Sequence, residues 1–252
     1  MHNPLSYDQP RPQSTWHHPP AFAPLPIAEL LLDVVRPRVG PGGREWLERA
    51  VADLRPSLDR DAFAGAFTLS ARRVGKALLA LSGEELTRLQ GSGVTWTLTG
   101  WGVDELSRSM LLLRAAAALP PREFETLVEE CYGRGDSRER QAVLRSLALL
   151  PAADRFLALA VDACRTSIQP LFEAIACENP YPAAHFPELN FNQMVLKALF
   201  TGVALRRILG LEGRITTELR RMAADYASER RAAARSVPPD IDYVLGKERS
   251  PS

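Results

Sequence analysis

Residues 178–203 read ENPYPAAHFPELNFNQMVLKALFTGV and divide into two halves of opposite character. The first half, from Asn179 to Glu188, contains three prolines, the aromatic residues Tyr181 and Phe186, and a histidine. Because proline has a fixed φ and no backbone N–H, this half is predicted to be an extended connection and not a helix interior or a central strand. Its aromatic rings predict that it packs on the protein surface and does not project as a mobile loop.

The second half, residues 190–203, is predicted to be a helix that is apolar nearly all round, and such a helix is buried. At about 100° per residue, Gln193, Lys197 and Thr201 fall on one narrow polar stripe. This stripe is predicted to face a strip of solvent or a polar pocket. A buried ammonium costs several kcal/mol unless it is paired, so Lys197 either reaches solvent or forms an ion pair. The candidate carboxylate partners are Glu188, Asp225 and Glu229.

Three polar residues near the start of this helix have alternative interpretations. Asparagine is a preferred N-cap, so Asn190 or Asn192 is predicted to cap the helix; otherwise the Asn192 amide is buried and needs partners. His185 lies outside the N-terminal tail that holds the other histidines. A metal site would need two or three more ligands at matching spacing, and the sequence offers none. We therefore predict no metal and no other cofactor, and a hydrogen-bonded packing role for His185.

The last long helix is predicted over residues 217–233, with an amphipathic stripe that includes Leu219 and Tyr226. Its charged residues suit either surface and interhelical ion pairing or an anionic ligand. Together with the 178–203 stretch, it supplies the candidate ligand- or partner-binding residues. These are Asn179, Tyr181, His185, Phe186, Glu188, Asn190, Asn192, Gln193, Lys197, Asp225, Tyr226, Glu229 and Arg230.

The same stretch resembles the signature of the EboA family through residues 179–182 and 185–200. A second block of resemblance comprises residues 215–219 and 225–233. The resemblance covers roughly residues 27–243 and is strongest after Cys177. It implies a place in bacterial gene clusters that also encode a prenyltransferase and TIM-barrel proteins, and that are linked to trafficking of secondary-metabolite precursors. It implies no catalytic residues.

Composition places the chain among ordinary globular proteins. Of its 252 residues, 46% are hydrophobic and 24% are charged, and a net charge of +1 argues against a nucleic-acid-binding surface. Three cysteines without a CxxC pair fit a reducing cytoplasm better than a disulfide framework. No run approaches the ~20 apolar residues of a membrane span, and no signal peptide is visible.

The predicted fold is all-α, with at least nine helices and no sheet larger than two short strands. Helices joined by short turns predict an irregular superhelix of stacked antiparallel hairpins, similar to HEAT or tetratricopeptide arrays; a compact bundle is the alternative. One helix is predicted from Asp59 or Asp61 through Leu81, with Gly75 inside it as either a break or a close helix contact. Residues 91–102 suit either a short strand or a packed loop. The domain organisation is a disordered proline-rich tail at 1–26, one helical domain at 27–245, and a disordered tail at 246–252.

Two functions compete at this point. The first is a non-enzymatic binding or scaffold protein that handles metabolite or prenylated precursors, with proteins of the same gene cluster or a small metabolite as partners. The second is an enzyme acting on a small apolar or prenylated metabolite through a pocket formed by His185, Glu188 and Lys197. Convergence of those three side chains would favour the enzyme, and their dispersal would favour the binding protein.

Overall fold

The structure, a computed structural model, describes residues 23–54, 58–98 and 100–246 of the chain. Within these ranges the chain forms 13 α-helices and no β-strand, which confirms the all-α prediction. Residues 1–22 of the tail predicted over 1–26, and the last six residues of the chain, lie outside the described ranges, whereas the first helix already begins at Pro24. The helices are α1 Pro24–Val35, α2 Pro41–Asp53, α3 Arg60–Val74, α4 Gly83–Gly91, α5 Val103–Ala118, α6 Pro121–Arg134, α7 Ser137–Ser146, α8 Leu157–Ala163, α9 Gln169–Ala176, α10 Tyr181–His185, α11 Glu188–Thr201, α12 Thr217–Ala232 and α13 Ile241–Leu245.

Helix α5 is the centre of the packing. Helices α1, α3 and α7 pack against it, and α7 in turn packs against α9. Every residue from Val103 to Ala115 is buried, so α5 has no solvent-facing side over that length. The helix around which the molecule is built is therefore α5 and not the 178–203 stretch, while the stacked-hairpin arrangement stays a prediction.

Short side-chain caps explain where several helices begin. Asp59, one of the two predicted starts of α3, accepts hydrogen bonds from the first-turn N–H groups of that helix, and Asp136 does the same for α7. Ser82 and Glu85 form a capping box at the start of α4, a helix that the hydrophobic pattern did not indicate. These caps satisfy N–H groups that a helix cannot pair internally.

The predicted helix through Leu81 is wrong in its second half. Helix α3 ends at Val74 because Gly75 has φ of 84°, a conformation that glycine adopts without strain. Leu78, placed on the buried stripe by the pattern, is 73% exposed. Its backbone forms an isolated antiparallel bridge with Gly102, and the described residues 92–98 and 100–102 form a loop packed through Val94, Trp96, Leu98 and Trp101.

The extended connection predicted over residues 179–188 is also wrong. Tyr181–His185 form the short helix α10, and α11 begins at Glu188. The prolines permit this because Pro182 lies in the first turn of α10, where a helix needs no N–H donor, and Pro187 is the N-cap residue of α11.

No described helix has both the length and the apolar character needed to cross a membrane. The cysteines Cys131, Cys164 and Cys177 are free thiols, and burial raises the pKa of each to about 12. At neutral pH they are therefore protonated and behave as small apolar side chains.

Candidate functional site

Asn179 fixes the start of the 179–190 segment. Its side-chain amide is buried and donates to the carbonyl oxygens of Leu144 and Ala174, each at 3.0 Å. Its Oδ1 accepts from the backbone N–H of Tyr181, also at 3.0 Å. Asn179 therefore joins α7, α9 and α10, and its polar atoms are used within the fold.

The aromatic residues of this segment are packed inside the protein. Tyr181 is fully buried, and its hydroxyl donates to the carbonyl oxygen of Ala153 at 2.7 Å. The ring of Phe186, also buried, meets the Tyr181 ring edge-on at 6.3 Å. The centroid of the His185 ring lies 4.6 Å from that of the Tyr181 ring, and both residues belong to α10. The segment is thus an ordered part of the core.

Arg214 holds the end of α10 and was not predicted from the sequence. Its guanidinium donates to the carbonyl oxygens of Ala183 and Phe186, each at 2.6 Å, and lies 4.5 Å from the Phe191 ring centroid. It thereby satisfies carbonyls that the short helix leaves unpaired. The sequence does not indicate this role, because arginine is abundant and the spacing of Arg214 does not distinguish it from the other arginines.

A second unpredicted arginine, Arg207, anchors the residue before the segment. It forms a two-point ion pair with Glu178 at 2.8 and 3.0 Å and a further one with Glu173 at 2.6 Å. The backbone N–H of Glu178 donates to the carbonyl of Arg207 at 2.8 Å. These contacts hold Glu178 at φ of 47°, the left-handed region in which a non-glycine residue is uncommon.

A cavity of about 590 Å³, which we call the chamber, lies between α11 and residues 161–167 at the end of α8. Its wall combines apolar side chains with a smaller number of polar ones. Four of the predicted candidate residues, Phe186, Asn190, Gln193 and Lys197, are brought together here. The full lining is Val161, Cys164, Arg165, Thr166, Ser167, Phe186, Asn190, Gln193, Met194, Lys197, Phe200 and Thr201.

Lys197 is the charged residue of α11 that lines the chamber. Its ammonium donates to the carbonyl oxygens of Cys164 and Thr166 and lies 4.7 Å from the Phe172 ring centroid. Burial lowers the pKa of Lys197, while the nearby Cys164 thiol acts in the opposite direction. Of the two alternatives for Lys197, the ion pair is not formed among the described residues. The carbonyls of Cys164, the C-cap residue of α8, and of Thr166 just beyond it accept from the ammonium instead, and the side chain is partly exposed.

A second cavity of about 630 Å³, which we call the groove, adjoins the chamber. The two cavities share Val161, Arg165 and Asn190 in their linings. The side chain of Arg165 is exposed and makes no hydrogen bond or ion pair with any residue that the structure describes. The groove is completed by Arg155, Leu157, Ala158 and Asp162.

The three residues of the predicted catalytic pocket do not meet. Of His185, Glu188 and Lys197, the chamber lining contains Lys197 alone. Glu188 accepts a hydrogen bond from the Thr216 hydroxyl at 2.7 Å and thus joins the start of α11 to the start of α12. His185 lies in α10 against Tyr181.

The two asparagines of α11 do not cap it, contrary to the prediction. The helix begins two residues before Asn190, which turns its side chain to both cavities instead. Asn192 is 1% exposed, and neither atom of its amide has a hydrogen-bond partner among the described residues. At about 100° per residue, Asn192 points away from Gln193 and Lys197, towards the side of Val195. Gln193 is exposed at the chamber.

The candidate residues of α12 lie apart from the chamber lining. Asp225 accepts from Arg221 at 2.7 Å on the surface, and Glu229 is exposed. Arg230 donates to the carbonyl of Ser236 at 2.6 Å and lies 5.8 Å from the Tyr226 ring centroid. The Tyr226 hydroxyl is buried without a partner in the described part of the chain. These residues are therefore a cluster separate from the two cavities.

Searches of curated proteins and of solved structures give no match to the chain. The sequence model of one family, described as "Metabolite traffic protein EboA", matches residues 27–246 of the 252. The matched range includes α11, the chamber and the groove. The chain therefore belongs to the EboA family of metabolite traffic proteins.

Proposed function

We propose that the protein is a non-enzymatic binding protein that carries a small, mainly apolar metabolite in the chamber. The observation that carries this proposal is the chamber itself. Its volume of about 590 Å³ falls within the roughly 300–1,000 Å³ typical of small-molecule sites. Its wall has the usual composition of such sites, with apolar side chains supplying contact area and a few polar groups supplying orientation.

The arrangement of the candidate catalytic groups also supports binding over catalysis. General acid–base chemistry needs groups within about 2.6–3.2 Å of the atoms between which a proton moves. His185 and Glu188 are engaged with Tyr181 and Thr216, outside the chamber lining. Lys197 donates to two backbone carbonyls, and among the described residues the chamber lining contains no carboxylate or imidazole with which it could exchange a proton.

Membership of a family of metabolite traffic proteins fits a carrier. The proposed cargo is a secondary-metabolite or prenylated precursor produced within the same gene cluster. Proteins encoded by that cluster are the proposed partners that deliver and receive it. Such transfer requires a site that binds reversibly and leaves the cargo chemically unchanged.

The test is calorimetric titration of the full chain with 1-decanol, a neutral apolar probe. Gln193→Trp places a large ring at the chamber, and we expect it to weaken decanol binding about tenfold or more, that is, by at least 1.4 kcal/mol. Leu189→Trp is the matched control, because Leu189 is exposed on the same helix and does not line the chamber. Equal loss of decanol binding in both variants would contradict the proposal, and so would absence of binding by decanol and by its charged ten-carbon analogues alike.

A further inference from the structure

The linings of the chamber and the groove carry an excess of positive charge. They include three cations, Arg155, Arg165 and Lys197, and one carboxylate, Asp162. Arg155 is ion-paired with Glu125 at 3.2 Å, outside both linings. Arg165 and Lys197 have no carboxylate within ion-pair distance among the described residues, although Asp162 lies three positions before Arg165.

Arg165 and Lys197, the two cations without a carboxylate partner among the described residues, differ in how many of their side-chain N–H donors remain unpaired. Lys197 uses two of its three ammonium hydrogens on the carbonyls of Cys164 and Thr166. Arg165 uses none of its five side-chain donors within the described residues. Arg165 lies where the apolar chamber meets the groove, since it belongs to both linings, and its side chain is exposed. Such a guanidinium pairs well with a phosphate or a carboxylate, which it can bind at two points.

We propose that the cargo is an anionic amphiphile whose apolar tail occupies the chamber and whose phosphate or carboxylate head binds Arg165 at the groove. This inference rests on the proposed function and adds the chemical class of the ligand. The ammonium of Lys197 contributes a second positive charge from the chamber wall. Asp162 lines the groove and not the chamber, so its carboxylate disfavours an anionic head on the groove side of the junction.

The polarity of the site follows from these positions. The walls around Val161, Met194 and Phe200 offer only apolar contact, so they suit a hydrocarbon tail. A neutral alcohol gains that contact but leaves Arg165 unpaired. A quaternary ammonium head would lie beside two cations and is disfavoured by like-charge repulsion.

The experiment measures dissociation constants of the full chain for four probes that share one ten-carbon tail. These are decyl phosphate, decanoate, 1-decanol and decyltrimethylammonium, titrated below their micellar concentrations; inorganic phosphate is the tail-free probe. We expect decyl phosphate and decanoate to bind about tenfold more tightly than decanol, with the advantage shrinking as salt is raised. Comparison of the two anions shows whether phosphate or carboxylate is the preferred head.

Arg165→Gln removes the charge while keeping a polar side chain. It is expected to weaken decyl phosphate and decanoate about tenfold and to leave decanol unchanged. Arg122→Gln, at an exposed arginine that lines neither cavity, is the matched control and should change none of the four constants. Lys197→Met is the second variant and should also weaken the anions selectively.

The possible failures are distinguishable. Equal affinity for decanol and decyl phosphate, with no effect of Arg165→Gln, would overturn the anionic head while leaving the carrier function intact. Inorganic phosphate binding as tightly as decyl phosphate would also overturn this inference, because the tail would then contribute nothing. Absence of binding by every decyl compound would contradict the carrier function itself.

Discussion

Helices α5 and α11 both bury polar side chains, and they differ in how those side chains are paired. In α5, Asp104 is fully buried and accepts from two arginines: from Arg108 at 2.8 Å, and from Arg138 at 2.9 and 2.6 Å. The Nε of Arg108 donates to the carbonyl of Phe67 at 2.9 Å, and its Nη2 lies 4.0 Å from Glu139. In α11, the ammonium of Lys197 donates only to backbone carbonyls among the described residues.

The pKa shifts in α5 show that the burial of Asp104 is fully compensated and that of Glu105 only in part. Burial alone would raise the pKa of Asp104, but the two arginines hold it below its usual value. Burial raises the pKa of the neighbouring Glu105 despite its contact with Arg145 at 2.8 Å. Each carboxylate has an arginine of its own, and the network links α5 to α7 through Arg138 and Arg145.

The comparison separates two uses of buried polarity. A network in which each buried charge meets an opposite charge specifies how helices pack, and breaking it leaves an isolated charge in the core. A cation paired only with carbonyls, on the wall of a cavity, keeps its charge available to a ligand. On this basis α5 determines the fold, and α11 provides one wall of the proposed binding site.

Asp104→Asn tests the structural half of this comparison and should have the largest effect. It removes the charge that compensates Arg108, and the loss of one partner of a buried ion pair costs about 3–5 kcal/mol. Chemical denaturation of the full chain measures it. Asp225→Asn, which breaks a surface pair with Arg221, is the control and should cost less than about 1 kcal/mol. Equal effects would show that the α5 network contributes no more than a surface pair.

Phe186→Ala should have the next largest effect. The ring is 3% exposed and meets Tyr181 edge-on, and truncation of a buried phenylalanine costs about 3–5 kcal/mol. We expect a value near the lower end, because one face of the ring borders the chamber and loses less packing. Phe200→Ala, at a residue that is 69% exposed on the same cavity, should change the free energy of unfolding by less than about 0.5 kcal/mol. An unchanged melting transition in Phe186→Ala would contradict the packing of this segment.

The sequence predicted much of the fold because helix periodicity and caps are local signals. The α7 cap at Asp136, the bounds of α12 and the burial of Tyr181 and Phe186 all follow from neighbouring residues. The sequence interpretation did not predict the short helix α10, because it used the number of prolines in the segment and not their positions. At the first turn of a helix, a proline is compatible with helical structure.

The candidate site was predictable only in part, for a related reason. The stripe of Gln193 and Lys197 follows from helix geometry, and the chamber lies along it. The other wall comes from residues 161–167, and no sequence pattern pairs them with α11. Likewise, the carbonyls that receive Lys197 and Arg214 are backbone atoms, which carry no signature in the side-chain sequence.

Asn192→Leu extends the comparison to a buried neutral group. It should raise the free energy of unfolding, and by less than Asp104→Asn and Phe186→Ala lower it. The buried amide has no partner among the described residues, and an unsatisfied polar group of this kind costs about 1–3 kcal/mol. A leucine of similar size removes that cost, so we expect stabilisation of about 1 kcal/mol in chemical denaturation. Asn190→Leu, at a partly exposed position, is the control and should be nearly neutral. Destabilisation by Asn192→Leu would show that the amide is satisfied in solution.

At neutral pH, Lys197→Met should change the free energy of unfolding less than the other substitutions do. The size of its effect depends on pH. The methionine keeps the apolar stem and removes a cation that no carboxylate compensates, so we expect a change within about 1 kcal/mol at pH 7. Burial lowers the pKa of Lys197 from 10.5, so between the lowered value and 10.5 the unfolded chain binds more protons at this residue. The wild-type protein therefore gains stability relative to Lys197→Met as pH rises through that window, and the gain is absent below it.

Urea denaturation of both proteins at pH 7 and at pH 10 measures this difference, in which contributions from the shared tyrosines and cysteines cancel. Lys76→Met is the control for loss of an exposed lysine. If Lys197→Met lowered the free energy of unfolding by about 3 kcal/mol or more at pH 7, Lys197 would be a residue that the fold requires, like Asp104. A small change in the free energy of unfolding, together with selective loss of decyl phosphate binding, would instead show that the two helices use charge differently. The charge of α5 would stabilise helix packing, and the charge of α11 would bind the ligand.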